Sequence, residues 1–273
     1  MALLDMFKGK HQKGSVAPRA AVKKPIAAKK PVKVTSKAKP KPKTAAKPAH
    51  MSAPKPEQKV FPAKPVPQPK LDDEKAWELL KQARFPIASF MFVRKETDVP
   101  LALKKVGIPA VMKVSGPNII HKSDIGGIRK DISTEEQAKL AFTELMRIKG
   151  AEKVQFQRQL SGLELIVGAK SDSQFGTIVS VGLGGIYVEL LKDVTFRIAP
   201  IGTDDALAML KELKGRDILA GARGQAAIKL EAVTEVLVKL GKFAIAEKVR
   251  EMDINPLFCS SEGCWAADVR IMK

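Results

Sequence analysis

The stretch GIPAVMKVSGPNIIHKSDIGGI, residues 107–128, decides how the rest of the chain is read. Its start, AVMKV at 110–114, has the short apolar run of a buried strand. Lys113 near the end of that strand is costly to bury unless its ammonium meets an anion or water. A phosphate contact and a side chain snorkelling to solvent both satisfy it. Next comes a polar loop with His121, Lys122, Ser123 and Asp124, closed by a turn at Gly126 and Gly127. Imidazole, ammonium, hydroxyl and glycine amides in one loop can hold a phosphoryl group. Imidazole is also a competent nucleophile when neutral, as an ordinary imidazole largely is at pH 7. Asp124 either orients the ring or is a plain turn residue. The glycines permit loop motion.

Outward from this segment the pattern alternates helices and strands. DDEKAWELLKQA (72–83) reads as a short helix with acids at its N-terminus, which suits the helix dipole. Ser133-Thr134-Glu135-Glu136 reads as a capping box opening a helix to about Met146. VQFQRQL (154–160) and LELIVGAK (163–170) read as strands. FGTIVSVGLGGIYVELL reads as a strand, a glycine turn and a second strand or short helix. Thr203-Asp204-Asp205 caps a helix over ALAMLKEL, and a long amphipathic helix covers roughly 230–247. EMDINPLFC and CWAADVRI form a terminal hairpin. Strands and helices in two clusters predict an α+β, two-lobe body rather than a doubly wound parallel sheet. The expected division is a small lobe at 71–160 and a large lobe at 161–273.

The chain has 273 residues and a formal net charge of +19, but the charge is uneven. Residues 1–70 hold 18 Lys and Arg against two acids, whereas residues 71–273 hold 30 against 27. The basic excess is thus a tail on a nearly balanced body, and it does not define a nucleic-acid binder. Twelve of the 18 prolines lie in that tail. Proline and mutually repelling lysines, with little apolar surface to bury, predict disorder, partly polyproline II. Such an arm either tethers and solubilises or meets an anionic surface. Its only aromatics are Phe7 and Phe61, too few for sequence-specific single-strand recognition.

Several classes fall away. Cys259 and Cys264 cannot make a disulfide scaffold; a turn brings them together as reduced thiols of a cytoplasmic chain. The first residues lack the apolar core of a signal peptide. The longest uncharged run, residues 173–188, is shorter than the roughly 20 residues a membrane span needs. Gly182-Leu183-Gly184-Gly185 lacks the third glycine of a dinucleotide fingerprint, since position 187 is Tyr. No Walker phosphate loop, zinc-protease motif or serine nucleophile elbow occurs. The other two histidines, His11 and His50, lie in the tail, so His121 stands alone in the body. A second constellation is C-terminal. Asp253 and Asn255 are two apart on one strand and share a face, and Asp268 comes from the partner strand. Their oxygens suit Mg²⁺ bridging nucleotide phosphates, or are ordinary turn polarity at Asp-x-Asn-Pro.

These segments, together with ELIVGAKSDSQFGTIVSVGLGGIYVELLKDVTFRIAPI (164–201), LAGARG (219–224) and MDINPLF…AADVRI, resemble the β subunit of ADP-forming acyl-CoA synthetases. That family belongs to the ATP-grasp group and is related to succinyl-CoA synthetase. The resemblance covers all but the tail. It implies a two-lobe ATP-grasp body and a reversible reaction in which acyl-CoA, ADP and phosphate give acid, CoA and ATP. By the same resemblance His121 is the β phosphohistidine, receiving its phosphoryl group from a histidine on a CoA-binding α subunit. Asp253 would steady it. Lys113 would contact nucleotide phosphates. Asn255 and Asp268 would hold Mg²⁺. Gln157, Arg158 and Gln159 would form the interlobe hinge at adenine. Glu164, Glu189 and Arg223 match recurrent positions without a firm role. The sequence departs from the pattern at Arg84-Phe85-Pro86, at Arg158 and at Gly116-Pro117-Asn118. No CoA-binding domain accompanies the body, so the resemblance implies a hetero-oligomer. Two alternatives are a non-catalytic nucleotide-binding regulatory module and a succinate-type ligase subunit. A third is a nucleic-acid or envelope protein led by its tail.

Overall fold

A computed structural model of the chain describes residues 70–185, 193–221 and 226–273. The basic tail before Lys70, the element expected after Gly185, Glu189 and Arg223 lie outside the described residues. The order is α1 (Asp73–Gln82), β1 (Phe90–Val93), a 3₁₀ turn (Glu96–Asp98), α2 (Val99–Val106), β2 (Ala110–Ser115), β3 (Ile128–Ile132), α3 (Glu135–Met146) and β4 (Lys153–Arg158). There follow β5 (Leu163–Asp172), β6 (Gly176–Leu183), β7 (Val194–Ile198), α4 (Thr203–Glu212), α5 (Arg216–Leu219), α6 (Leu230–Ala246), β8 (Glu251–Cys259), β9 (Cys264–Ala266) and β10 (Val269–Met272).

The strands form two antiparallel sheets. The first has the order β1-β4-β2-β3, the second β10-β8-β5-β6-β7 with β9 paired to β8. The chain passes from one to the other over only Gln159–Gly162. The mixed α+β architecture expected from the sequence is present.

Alternation along β2 shapes the first sheet. Ala110, Met112 and Val114 enter an apolar core with Val154 and Phe156 of β4 and the buried faces of α2 and α3. The intervening Lys113 and Ser115 sit opposite Gln155 and Lys153 in register, with Gln157 opposite Val111. All five polar side chains are buried. That polar face is covered by α1 and the C-terminal hairpin: Lys153 reaches Asp72 at 2.9 Å, and Lys113 donates to the carbonyl of Ala267. The second sheet buries Leu165, Val167, Val179, Val181, Met252 and Ile254 against α4 and α6. Trp77 and Leu80 of α1 and Phe92 of β1 join this second core. Within residues 71–92, Met91 packs on the first core, whereas Leu71, Trp77, Leu80, Phe85, Phe90 and Phe92 pack on the second.

Local signals act as expected, with shifts. Asp72 caps α1, accepting from the Glu74 N–H at 3.1 Å. The capping box of α3 pairs Thr134 with Gln137, one residue beyond the pair read from the sequence. At α4 the cap position is Gly202, whose N–H donates to Asp205, and Thr203 is already helical. Cys259 and Cys264 are register partners across the β8–β9 turn, both buried and unbridged. Burial pushes the Cys259 thiol well up, so neither metal binding nor exchange is favoured there. Among the described residues no helix is long and apolar enough to cross a membrane.

Candidate active site

A cavity of about 940 Å³ opens where the polar face of the first sheet meets the β5–β8–β10 end of the second. Its walls bring together Lys113, His121, Asp124, Gln157, Arg158, Gln159, Glu164, Asp253, Asn255 and Asp268. Of the sequence-predicted residues, Gly126 and Gly127 shape the loop behind it. The lining includes six cations, Lys70, Lys113, Lys122, Lys130, Arg158 and Arg270, against four carboxylates, Asp124, Glu164, Asp253 and Asp268. A concave site with a cationic excess suits a polyanion.

Lys113 is, with Lys122, one of two buried cations on the cavity wall. Its ammonium donates to Gln157 Oε1 at 2.8 Å and to the Ala267 carbonyl. Burial pulls its pKa down to about 8; Asp268 opposes that, while Lys122 and Lys130 add to it. It does not snorkel: it is only 6 % exposed. A buried ammonium held by two neutral acceptors still lacks a full counter-charge, which a phosphate supplies.

His121 sits at the cavity mouth, exposed, in the loop between β2 and β3. Among the described residues no hydrogen bond reaches its imidazole, and none joins it to Asp124, which is also exposed. The ring-orienting role considered for Asp124 has no contact behind it in this state. The loop is tied down on either side of the histidine. Gly127 donates to the Lys122 carbonyl at 2.7 Å and accepts from Val114 at 2.9 Å. A Cβ on Gly127 would lie 2.5 Å from Val114 Cγ1 and 2.8 Å from the Lys122 carbonyl oxygen. Gly126 has φ +62°, which favours glycine. The two glycines thus answer to close packing and backbone conformation, not to mobility alone. Gly127→Ala is expected to destabilise the chain by about 1–3 kcal/mol in urea unfolding, because the clash is partly with main chain.

The C-terminal group comes from an irregular hairpin. Val269 pairs with Ile254 and Ala266 with Leu257. Between them Asn255 donates its N–H to the Asp268 carbonyl at 3.1 Å, and Ala267 donates to the Pro256 carbonyl at 3.0 Å. Asp268 thus lies just before β10, off the strand on which it was expected. Asp253 and Asn255 share the face opposite Met252 and Ile254, as the period of two requires. Asp253 is paired with Arg270, 2.7 Å from Nη2 and 3.1 Å from Nε. Burial raises its pKa, Arg270 works against that, and Asp268 and Glu251 reinforce it.

Asp268 is held by Lys122, expected only as one of the loop groups that could meet a phosphoryl group. Lys122 Nζ lies 2.9 and 3.0 Å from its two carboxylate oxygens, and 3.7 Å from Asp73 Oδ2. Asp73 in turn pairs with Lys70 at 2.7 Å. Burial works against the charge on both partners of the Lys122–Asp268 pair. Attraction wins: the carboxyl is held below the usual range by Lys122 and Lys113, and the ammonium is raised by Asp268 and Asp73. Only adjacency to His121 hinted at Lys122; Asp73 and Arg270 had no such signal.

Gln159 turns away from an open role. It takes the Asp131 N–H at 2.7 Å and donates to the Asp131 carboxylate at 2.6 Å, bracing β3. The main-chain donors of Arg158 and Gln159 are used by Ser89 and Pro109 carbonyls. Glu164 lies under the glycine turn: Gly184 donates to its carbonyl at 2.7 Å, and a Cβ on Gly184 would be 2.8 Å from that oxygen.

Could this donor set take Mg²⁺? Asp268 and Asn255 offer hard oxygens on one wall, and no cluster of three His, Cys, Asp or Glu exists among the described residues. That rules against an all-protein cage there. It fits an ion that takes one carboxylate, an amide and its remaining ligands from phosphates and water.

Two antiparallel sheets meet at a cationic cleft, and residues 65–272 match the ATP-grasp domain family. The chain is 41 % identical over 211 residues to the β subunit of acetate–CoA ligase (ADP-forming) I of Pyrococcus furiosus, covering 74 % of this chain and 91 % of that one. It is 40 % identical to acetate–CoA ligase (ADP-forming) II of Archaeoglobus fulgidus, covering 71 % of this chain but only 29 % of that longer one. Among solved structures it resembles the Ca. Korarchaeum cryptofilum acetyl-coenzyme A synthetase 1 in complex with coenzyme A and Mg-AMPPCP, whose phosphohistidine segment points towards the nucleotide-binding site. That likeness has a TM-score of 0.66 and 33 % identity, covering 74 % of this chain and 92 % of that one. The chain belongs to the ATP-grasp family and, within it, to the β-subunit group of ADP-forming acyl-CoA synthetases, acid–CoA ligases that work as part of a complex.

Proposed function

We propose that His121 carries a phosphoryl group between the nucleotide in this cavity and a CoA-binding α subunit, in the reversible acetate-type reaction that links acyl-CoA to ATP. The observation that carries this is placement. The body's single histidine lies exposed at the mouth of a cationic cavity in whose wall Lys113 is buried. In the half-reaction with ATP, a ring nitrogen of His121 bonds to the terminal phosphorus. The bond from that phosphorus to the β-phosphate oxygen breaks, and ADP leaves with its electron pair. Such transfers need positioning and charge neutralisation more than covalent help. Lys113 supplies a point charge in low dielectric. Asn255 and Asp268 would hold Mg²⁺, which neutralises phosphate charge when bound. Asp253, braced by Arg270, faces the same cavity and would bear on the phosphorylated ring. Gln157, Arg158 and Gln159 line the link between the sheets, where the base would lie; Gln159 acts by bracing. Glu164 would shape the glycine turn. Within this reading residues 71–160 and 161–273 act as the two lobes, except that α1 packs with the second.

The CoA-binding partner is expected to carry its own phosphohistidine and to supply the acyl site; the assembly is then a hetero-oligomer. The tail before residue 71 would contact anionic surfaces, and the cytoplasm would be its compartment. The test is incubation of the purified chain with Mg²⁺ and γ-labelled ATP. Acid-labile, base-stable label that ADP removes is expected. A folded, nucleotide-binding chain that stays unlabelled even with its α subunit would sink the relay and favour the regulatory-module reading.

A further inference from the structure

Lys122 is out of place for an ordinary loop lysine. It is 5 % exposed, follows the exposed His121 directly, and spends its charge on Asp268, a carboxylate of the nucleotide cavity. The ion pair therefore does two jobs. It clamps the 116–127 loop against the C-terminal hairpin, and it sets a cation on the oxygens that the reading above gives to a metal. Lys122 takes one acceptor position on each Asp268 oxygen and sets its positive charge where a divalent ion would bind, so the ion pair opposes metal binding there.

The neighbouring carboxylate shows where the lysine can go. Asp73 is 2 % exposed, at the start of α1. Its Oδ1 is taken by Lys70, but Oδ2 has no hydrogen-bond partner. It lies 3.7 Å from Lys122 Nζ, too far for a hydrogen bond but near enough for a small movement to make one. A buried carboxylate oxygen without a donor is costly, and its presence beside an ammonium bonded elsewhere needs a reason.

We propose that Lys122 is a two-position cation: it occupies Asp268 when the nucleotide cleft has no metal, and moves to Asp73 when a divalent ion with its nucleotide claims Asp268. The move exchanges one ion pair for another inside the protein, so no charge is left unpaired. It also unties the loop that bears His121 from the C-terminal hairpin and leaves it held to α1 alone, which couples cleft occupancy to the freedom of the histidine. Coupling of this kind is reciprocal: whatever strengthens the Lys122–Asp268 pair weakens metal binding, and the reverse.

The inference rests on the nucleotide reading above, and the experiment separates the two. Mn²⁺, as a probe for Mg²⁺, is titrated into the full chain without nucleotide and followed by the paramagnetic signal of the free ion. Amide exchange over residues 117–127 is measured alongside. Lys122→Gln is expected to bind Mn²⁺ about ten-fold or more tightly than the parent, because a like charge has left the site. Its loop amides should exchange faster, and adding Asp268→Asn should cancel the gain in binding. Asp73→Asn, with Lys122 intact, is expected to weaken Mn²⁺ binding and to keep the loop protected in the presence of Mn²⁺ and ADP, since the displaced lysine has no second carboxylate. Loss of Mn-ADP binding by the parent chain would overturn the nucleotide reading itself. Parent binding of Mn-ADP with unchanged Mn²⁺ affinity in Lys122→Gln overturns the switch alone. If Lys122→Gln does not fold, Asp73→Asn decides: metal affinity and loop exchange equal to the parent's overturn it.

Discussion

His121→Ala should abolish incorporation of the terminal phosphoryl group of ATP and lower turnover of the assembled enzyme at least about a thousand-fold, as loss of a covalent nucleophile does. Binding of ADP and Mg²⁺ should change by no more than about two-fold, because the imidazole lies at the cavity mouth and not among the buried cations. Stability should move by less than about 0.5 kcal/mol, since an exposed side chain without hydrogen bonds leaves neither a hole nor an orphan partner. That separation makes the variant informative. Few substitutions in a nucleotide cleft remove chemistry while sparing both fold and affinity. His121→Asn, which keeps a polar amide at the same place, should fail equally, because only the ring nitrogen offers a transferable bond. Residual label in either variant would place the phosphoryl group on another side chain. In this reading the full reaction would need the partner subunit, whereas labelling and ADP chase follow one half-reaction, tried first on this chain and then with the partner added. The half-reaction is therefore the stricter readout.

How much of this could be read from the residues before any coordinates? The period of two along EMDIN placed Asp253 and Asn255 on the face they share, whereas AVMKV read only as an apolar run and left Lys113 between a phosphate contact and solvent. His121 was singled out by being alone in the body, a count that needs no geometry. The α3 box was legible to within one residue because its partners are three apart, whereas the acids at 72–74 announced a helix start without marking Asp72 as its cap. What was not legible is long-range. Lys122 and Asp268 are 146 positions apart, and nothing in either neighbourhood announces the other. Arg270 could have been matched to Asp253 only with the register of an irregular hairpin in hand. β3, IRKDI, escaped notice because most of it is partly or fully exposed and its apolar alternation is weak. α1 looked like part of the first lobe by sequence order, yet Trp77 and Leu80 found the larger apolar surface beside β10. Sequence proximity decided caps and alternation; burial decided which sheet a helix joined.

Lys113→Met is the second large effect expected, and it should act on binding rather than on fold. An ammonium that donates to phosphate in a dry site is worth about 1.5–3 kcal/mol, so ADP affinity should fall roughly 10- to 150-fold by calorimetry. The same lysine burdens the empty chain. Its folded pKa of about 8 lies below the 10.5 of a free lysine, a difference worth about 3 kcal/mol. The unfolded chain keeps its proton between those values while the folded chain has released it. Stability from this position therefore rises with pH from about 8 to about 10.5, and below pH 8 the whole burden is present. Methionine lifts that burden but leaves Gln157 Oε1 and the Ala267 carbonyl without their donor, each costing about 1–3 kcal/mol. The two nearly cancel, so unfolding free energy at pH 7 should stay close to the parent value and lose its rise above pH 8. Binding adds the reverse linkage. Phosphate raises the pKa of the ammonium beside it, so ADP binding above pH 8 must take up a proton. Affinity should fall with pH there by up to about ten-fold per unit. Calorimetry at pH 8.5 in buffers of different ionisation enthalpy should show an uptake of up to about three-quarters of a proton from Lys113 in the parent, and less in Lys113→Met by that share. Equal uptake in both would assign the proton to another group and remove Lys113 from the phosphate contacts.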